Sequence, residues 1–213
     1  MTEASAKDRT ERRGREVVRL YAEATASFGR RVHQVARNQW HSPTPCADWS
    51  VHDLVNHLTA GQLWVPELLM GATIAEVGDR FDGDMLGADP VAAWTSAATA
   101  ARAAFTVPGA MDLTVHLSYG DRAALDYCAE LTVDLTVHTW DLAHATGQDA
   151  HLAPELVEFA LHEVTPYADQ LAASGAFAPP VATPPQADPQ TRLLGLLGRR
   201  AAPPLQIDPE ATG

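Results

Sequence analysis

Residues 123–145 read AALDYCAELTVDLTVHTWDLAHA, and their period decides the fold. At about 100° per residue, Tyr127, Leu131, Asp134, His138, Asp141, Leu142 and Ala145 fall on one stripe of a helix. Gly147 follows at the position where a left-handed residue closes a helix. The stripe is apolar except at Asp134, His138 and Asp141. A helix that packs by this face carries ionisable groups inward, where they need partners.

The neighbouring sequence supplies more helices. From about Thr10 to Gln39, Val17, Leu20, Tyr21, Ala24, Phe28, Val32 and Val35 recur at three- and four-residue spacing, with residues 1–10 expected as a frayed leader. Pro43 and Pro45 break the chain into a loop that holds Cys46 and Trp49. Ser50-Val51-His52-Asp53 then forms a capping box that opens a helix to about Met70. Residues 72–88 are rich in Gly and Asp and read as a loop. Asp89-Pro90 starts a third helix, to about Ala104. Met111–Ser118 alternates as a short strand or extended arm, with a turn at Tyr119-Gly120-Asp121. Pro154 opens a helix to about Ala173. A Pro/Ala-rich linker and a short apolar helix (Leu193, Leu194, Leu196, Leu197) follow, ended by Pro203 and Pro204. The expected fold is an all-α four-helix bundle with a short arm and a short C-terminal helix. Residues 10–173 form the bundle and 174–213 the linker and tail, which is expected to fold back over one end of the cleft.

Composition narrows the function. The chain has 213 residues and a net charge of −12, which argues against a phosphate-tracking face and so against nucleic acid as a partner. Hydrophobic residues make up 46%, too many for a disordered chain, yet no run approaches the ~20 residues of a membrane span. Two cysteines are too few for a disulfide scaffold, and the charged N-terminus is not that of a signal peptide. A cytoplasmic protein is expected, monomer or homodimer.

Among nine histidines the helical wheel separates candidates. His57 lies within the apolar stripe of its helix, with Leu54, Leu58 and Val65, and is expected to be buried; His52 points the other way and is expected to be exposed. Asp134 and His138, at i and i+4, leave the same side of their helix about 5–6 Å apart at Cβ. Two histidines and a carboxylate are a donor set that leaves a metal position open. Spacing alone leaves two readings equally placed. One is a metal held by His57, Asp134 and His138. The other is an Asp134–His138 pair within one helix, with His57 on a backbone carbonyl. Cys46, beside Trp49, reads as a packed loop residue.

The stretch Thr44–Leu58, with Trp49-Ser50-Val51-His52-Asp53 and His57, resembles the N-terminal motif of actinobacterial DinB-like proteins. More closely, it resembles the metal-binding domain of mycothiol-dependent maleylpyruvate isomerase. Asp134–Gly147 resembles that family's second motif, and Arg192–Arg200 is similar to the ending of a short metal-binding subfamily. The resemblance implies a four-helix bundle with a divalent metal, zinc or nickel, on His57, Asp134 and His138. The isomerase carries Glu where this chain has Asp134. It also has a second domain bearing a substrate-binding arginine, of which this chain has only a linker and a short helix.

The function so implied is a metal-dependent transferase or isomerase that uses a low-molecular-weight thiol, mycothiol, on a small-molecule substrate. Asp141 or Glu130 would accept the N–H of a ligating histidine. His116, Arg122 and Tyr127 are candidates for the substrate pocket. A metal-dependent hydrolase on the same ligands, and a metal-stabilised stress or binding protein without catalysis, are the alternatives.

Overall fold

The computed structural model describes residues 3–168, 170, 173 and 177–200. The elements run α1 (Glu3–Val32), α2 (Val51–Leu69), α3 (Ile74–Val77), α4 (Pro90–Phe105), β1 (Thr114–Leu117), β2 (Gly120–Ala123), α5 (Ala124–Thr146), α6 (Pro154–Val164) and α7 (Pro189–Leu196). Among the described residues, α1, α2, α4 and α5 are the long helices. α1 packs on α5 and α2 on α4, and the α1–α4 and α2–α5 contacts close the ring. Leu20, Tyr21, Phe28, Leu54, Leu58, Trp94, Phe105, Leu135 and Leu142 fill the core between them. The fold is all-α apart from one antiparallel hairpin, in which Val115 pairs with Arg122.

Local chemistry sets most boundaries. Ser50 caps α2 through its side chain to the Asp53 amide, while the Asp53 carboxylate accepts from the Ser50 amide at 2.9 Å. Asp89 accepts from the Ala92 amide at 3.0 Å ahead of Pro90. Gly147 ends α5 at φ 68°. The buried threonines of α5 would be poor helix formers with free hydroxyls. Thr132, Thr136, Thr139 and Thr146 instead each donate to the carbonyl four residues back, at 2.6–2.7 Å.

Four expectations are corrected. α1 begins at Glu3, so residues 3–10 are helical, and it stops at Val32. The loop after α2 contains the single-turn α3, nucleated by a Thr73/Glu76 capping box. The arm is half of a hairpin, and Gly120 already belongs to β2. The helix from Pro154 changes to a 3-10 turn over Thr165–Tyr167, where Pro166 has no amide to donate. Residues 174–176 of the linker and Pro203 and Pro204 lie outside the described residues.

The chain after residue 177 returns to the helices. Asp188 caps α7 by accepting from the Thr191 amide at 3.0 Å. Gln190 ties it to the α5–α6 connection, donating to the Ala150 carbonyl at 3.0 Å and accepting from the Leu152 amide at 2.9 Å. Leu193, Leu194 and Leu197 are fully buried in a second apolar cluster with Val133, Val137 and Trp140 of α5 and Val157, Ala160 and Val164 of α6. Such burial contributes roughly 1.5–3 kcal/mol per leucine as an upper bound.

Candidate metal centre

α2 and α5 bring His57, Asp134 and His138 together. The Asp134 carboxylate lies between the two rings, Oδ1 at 3.2 Å from His138 Nε2 and Oδ2 at 3.4 Å from His57 Nε2. One donor atom from each of the three residues lies within 4.8 Å of the others, so these three could hold a cation. The i,i+4 spacing accounts for the α5 pair, and the α2–α5 packing supplies His57.

Exposure differs from the expectation. The His57 side chain is 45% exposed, that of Asp134 26%, and that of His138 6%. His57 is therefore a rim residue, while His52 is the more covered of the α2 histidines and lies 3.5 Å from Asp84. The wheel gave His57 the same direction as Leu54, Leu58 and Val65 of α2. It could not show that its side chain leaves the core at an open edge.

The loop before α2 shapes that rim. Thr44 and Trp49 close it on themselves, the Thr44 amide donating to the Trp49 carbonyl at 3.0 Å. Asp48 takes φ 65°, a left-handed conformation that aspartate tolerates better than most residues. The Trp49 ring lies 4.8 Å from the His57 ring and 5.9 Å from that of His138.

Behind His138 the surroundings are closed. Its Nδ1 lies 2.9 Å from Asp141 Oδ2, and Asp141 is fully buried. Arg199, from the turn after α7, donates from Nε to Asp141 Oδ1 at 3.2 Å and from Nη2 to Oδ2 at 2.8 Å. The Cys46 thiol donates to Asp141 Oδ2 at 3.3 Å and lies 3.7 Å from His138 Nδ1. Phe177 stacks on His138 with ring centres 6.4 Å apart. Cys46, His138 and Asp141 also have cation-ligating atoms within reach of one another, but the Arg199 guanidinium already supplies the positive charge there.

Burial pushes the Asp134 carboxyl up, but the His138 charge and the hydrogen bonds from both histidines outweigh it and hold it well below the usual range. Burial likewise pulls His138 down, but Asp134 and the hydrogen bond to Asp141 prevail and raise it well above the ordinary histidine value. Burial raises Asp141 less than His138 and Arg199 lower it, so it stays ionised. Without a cation, His138 is thus an imidazolium between two carboxylates.

The other candidates have different partners. Asp141 does accept from His138, whereas Glu130 accepts from the Tyr119 hydroxyl at 2.5 Å and lies 3.4 Å from Arg122. His116 pairs with Asp121 across the hairpin at 2.8 Å. Tyr127 is buried, and burial with nearby Tyr119 and Glu130 pushes its phenol up, so it stays protonated. Arg199, Phe177 and the closeness of Cys46 were missed. The available signal was the Gly198-Arg199 pair after an apolar helix, a glycine at which the chain can turn back.

The model of the mycothiol maleylpyruvate isomerase N-terminal domain matches residues 21–143, which include His57, Asp134, His138 and Asp141. The chain belongs to this family. It is also 35% identical over 133 residues to two uncharacterized Mycobacterium tuberculosis proteins, from strains CDC 1551 / Oshkosh and H37Rv, covering 62% of this chain and 69% of each relative. No solved structure matches. The family match stops at residue 143, so Phe177 and Arg199 approach the site from outside the matched region. Among the described residues no helix is long and apolar enough to cross a membrane.

Proposed function

We propose that this mycothiol-related family member binds a divalent metal ion at His57, Asp134 and His138 and uses it to activate a low-molecular-weight thiol, mycothiol by family, toward a small electrophilic substrate. The observation that carries the reading is the contrast around Asp134. Two histidine nitrogens and a carboxylate converge on a solvent-open edge, with His57 and Asp134 45% and 26% exposed. A purely structural ion would be closed off by its ligands, whereas a catalytic one keeps a position free.

The donor set supports a cation. In the neutral ring that would ligate, the Nδ1–H donates to Asp141, which turns the Nε2 lone pair toward the Asp134 carboxylate at 3.2 Å. Two acceptors face each other there, and only a proton or a metal can sit between them. Two histidines and one aspartate suit zinc, with nickel the alternative.

A divalent ion held there would supply the positive charge that lowers the pKa of an incoming thiol. The chain's own residues do the rest. Asp134 leaves the site one positive charge, enough to attract a thiolate to a protein of net charge −12. Asp141 fixes the His138 tautomer, and Trp49 forms an apolar wall beside His57.

The test begins with metal analysis of protein purified without an affinity tag. Cobalt is then substituted and mycothiol or a short analogue added. A sulfur-to-cobalt charge-transfer band that disappears in Asp134→Ala is the expected result. If no thiol perturbs the cobalt spectrum and activated esters are turned over, the protein is a hydrolase. If neither thiol nor substrate touches the ion, the metal is structural.

A further inference from the structure

Arg199 is a buried cation, 7% exposed, and its placement is built by several independent features. Gly198 takes φ 79°, and a Cβ there would lie 2.6 Å from the Ala178 carbonyl oxygen, so a glycine is required for the turn. The Arg199 amide donates to the Leu194 carbonyl at 2.8 Å, and its Nη1 donates to the Leu197 carbonyl at 2.7 Å. The guanidinium lies 5.2 Å from the centre of the Phe177 ring, which itself stacks on His138. Its Nε and Nη2 donate to the two oxygens of Asp141, 58 residues away in sequence, and Nη2 also reaches Cys46 Sγ at 3.3 Å.

We propose that Arg199 is a positioning residue for the metal centre: it clamps Asp141, Asp141 holds the His138 ring, and docking of the tail is thereby coupled to metal binding. The inference rests on the metal reading above. A hydrogen bond to an unclamped Asp141 would leave the His138 ring free to swing with that carboxylate. The planar, two-pronged contact from Arg199 removes that freedom, because a guanidinium matches a carboxylate in one plane. Groups that orient a metal-bound histidine this way typically change affinity about 10–100-fold when removed. Coupling is reciprocal: if the docked tail favours the ion, the ion must favour the docked tail to the same degree.

The experiment uses the full chain and measures zinc affinity by competition with a chromophoric chelator. Arg199→Met is expected to weaken zinc about 10–100-fold. Arg199→Lys should recover little, since an ammonium cannot grip both oxygens in plane. In an Asp141→Asn background, Arg199→Met should cost less than about twofold, because the path through Asp141 is already cut. An equal loss in both backgrounds, or a drop in melting temperature with unchanged zinc affinity, overturns the proposal. If Arg199→Met does not fold, hydrogen exchange in the parent decides. Zinc should slow exchange of the Leu197 and Arg199 amides, and unchanged exchange overturns the coupling. A parent that binds no zinc defeats the metal reading instead. Arg199's hold is then read by NMR from the His138 Nδ1 proton. A slowly exchanging proton in the parent that is lost in Arg199→Lys supports the clamp, and one that persists in both refutes it.

Discussion

The two edges of the His138 ring differ in every respect that matters. On the Nε2 edge stand Asp134 and His57, partly exposed, the Asp134 carboxylate 3.2 Å from His138 and 3.4 Å from His57. On the Nδ1 edge stand Asp141, Arg199 and Cys46, mutually hydrogen-bonded and packed under Phe177. The open edge reaches solvent, whereas the closed edge is buried among its own partners. That asymmetry is expected where one side of a residue binds and the other side positions. It also separates residues whose loss would remove a ligand from those whose loss would loosen the ring that ligates and the fold around it.

The largest expected effect lies on the open edge. His57→Ala and His138→Ala should each leave the protein without metal after desalting, measured by elemental analysis. His52→Ala, whose side chain faces Asp84 instead, should retain it. Equal loss in the His52 and His57 variants would erase the distinction between the two α2 faces.

Next comes the closed edge. Deleting residues 188–213 exposes the pocket of three fully buried leucines and takes Arg199 from the buried carboxylate of Asp141. Three leucines at roughly 1.5–3 kcal/mol each give a loss of about 5 kcal/mol or more. The deletion should melt far below the parent or bind a hydrophobic dye. An unchanged melting curve would mean that the tail is not part of the stable fold.

The edges also respond differently to pH. His138 is raised in the metal-free protein, so its contribution is complete below about pH 6.5 and lost as pH rises through its elevated folded value. Asp134 and Asp141 are lowered, so theirs is present above about pH 3.9 and lost as pH falls through their depressed folded values. On the proposed metal reading, an ion would take the place of the proton between His138 Nε2 and Asp134. Zinc affinity should therefore rise about tenfold per pH unit below the raised His138 value, one proton being displaced. The melting-temperature gain on adding zinc should grow between about pH 6 and 8. A gain that shrinks over that range would show that no proton leaves His138 on binding.

How much of this was legible depended on whether the cause is local. The α2 cap is written in Ser50 and Asp53, the α4 start in Asp89-Pro90, and the α5 end in Gly147, because each rests on contacts within a few residues. The Asp134–His138 juxtaposition follows from one helical turn, and the place of His57 among leucines was visible on the wheel. α3 had a readable signal in Thr73 and Glu76, overshadowed by the Gly and Asp around it. The closed edge was hidden for a different reason. Arg199 meets Asp141 across 58 residues and Cys46 meets it across 95, and no periodicity reports such contacts. The exposure of His57 was misjudged because a wheel gives direction, not the edge at which the neighbouring helix stops covering the side chain.

The smallest expected effect concerns Cys46, and it asks whether the closed edge takes part in chemistry. A cysteine beside a histidine and an aspartate invites a nucleophile reading. The geometry points elsewhere: its thiol donates to the already engaged Asp141 Oδ2 at 3.3 Å, and Arg199 Nη2 reaches the sulfur at the same distance. Thus the sulfur fills a corner of a satisfied network and lies on the side of His138 away from the open position. Cys46→Ser keeps a donor for Asp141 with a slightly shorter reach, so it should cost about 1 kcal/mol or less, read from chemical denaturation. Metal retention should be unchanged, and any thiol-dependent turnover should stay within about twofold, since 1.4 kcal/mol would be needed for a factor of ten. Cys46→Ala removes the donor but leaves both Arg199 bonds to Asp141, and should be only slightly worse. If Cys46→Ser abolishes turnover while zinc stays bound and the fold stays stable, the sulfur reacts, and the division of His138 into a binding edge and a positioning edge fails.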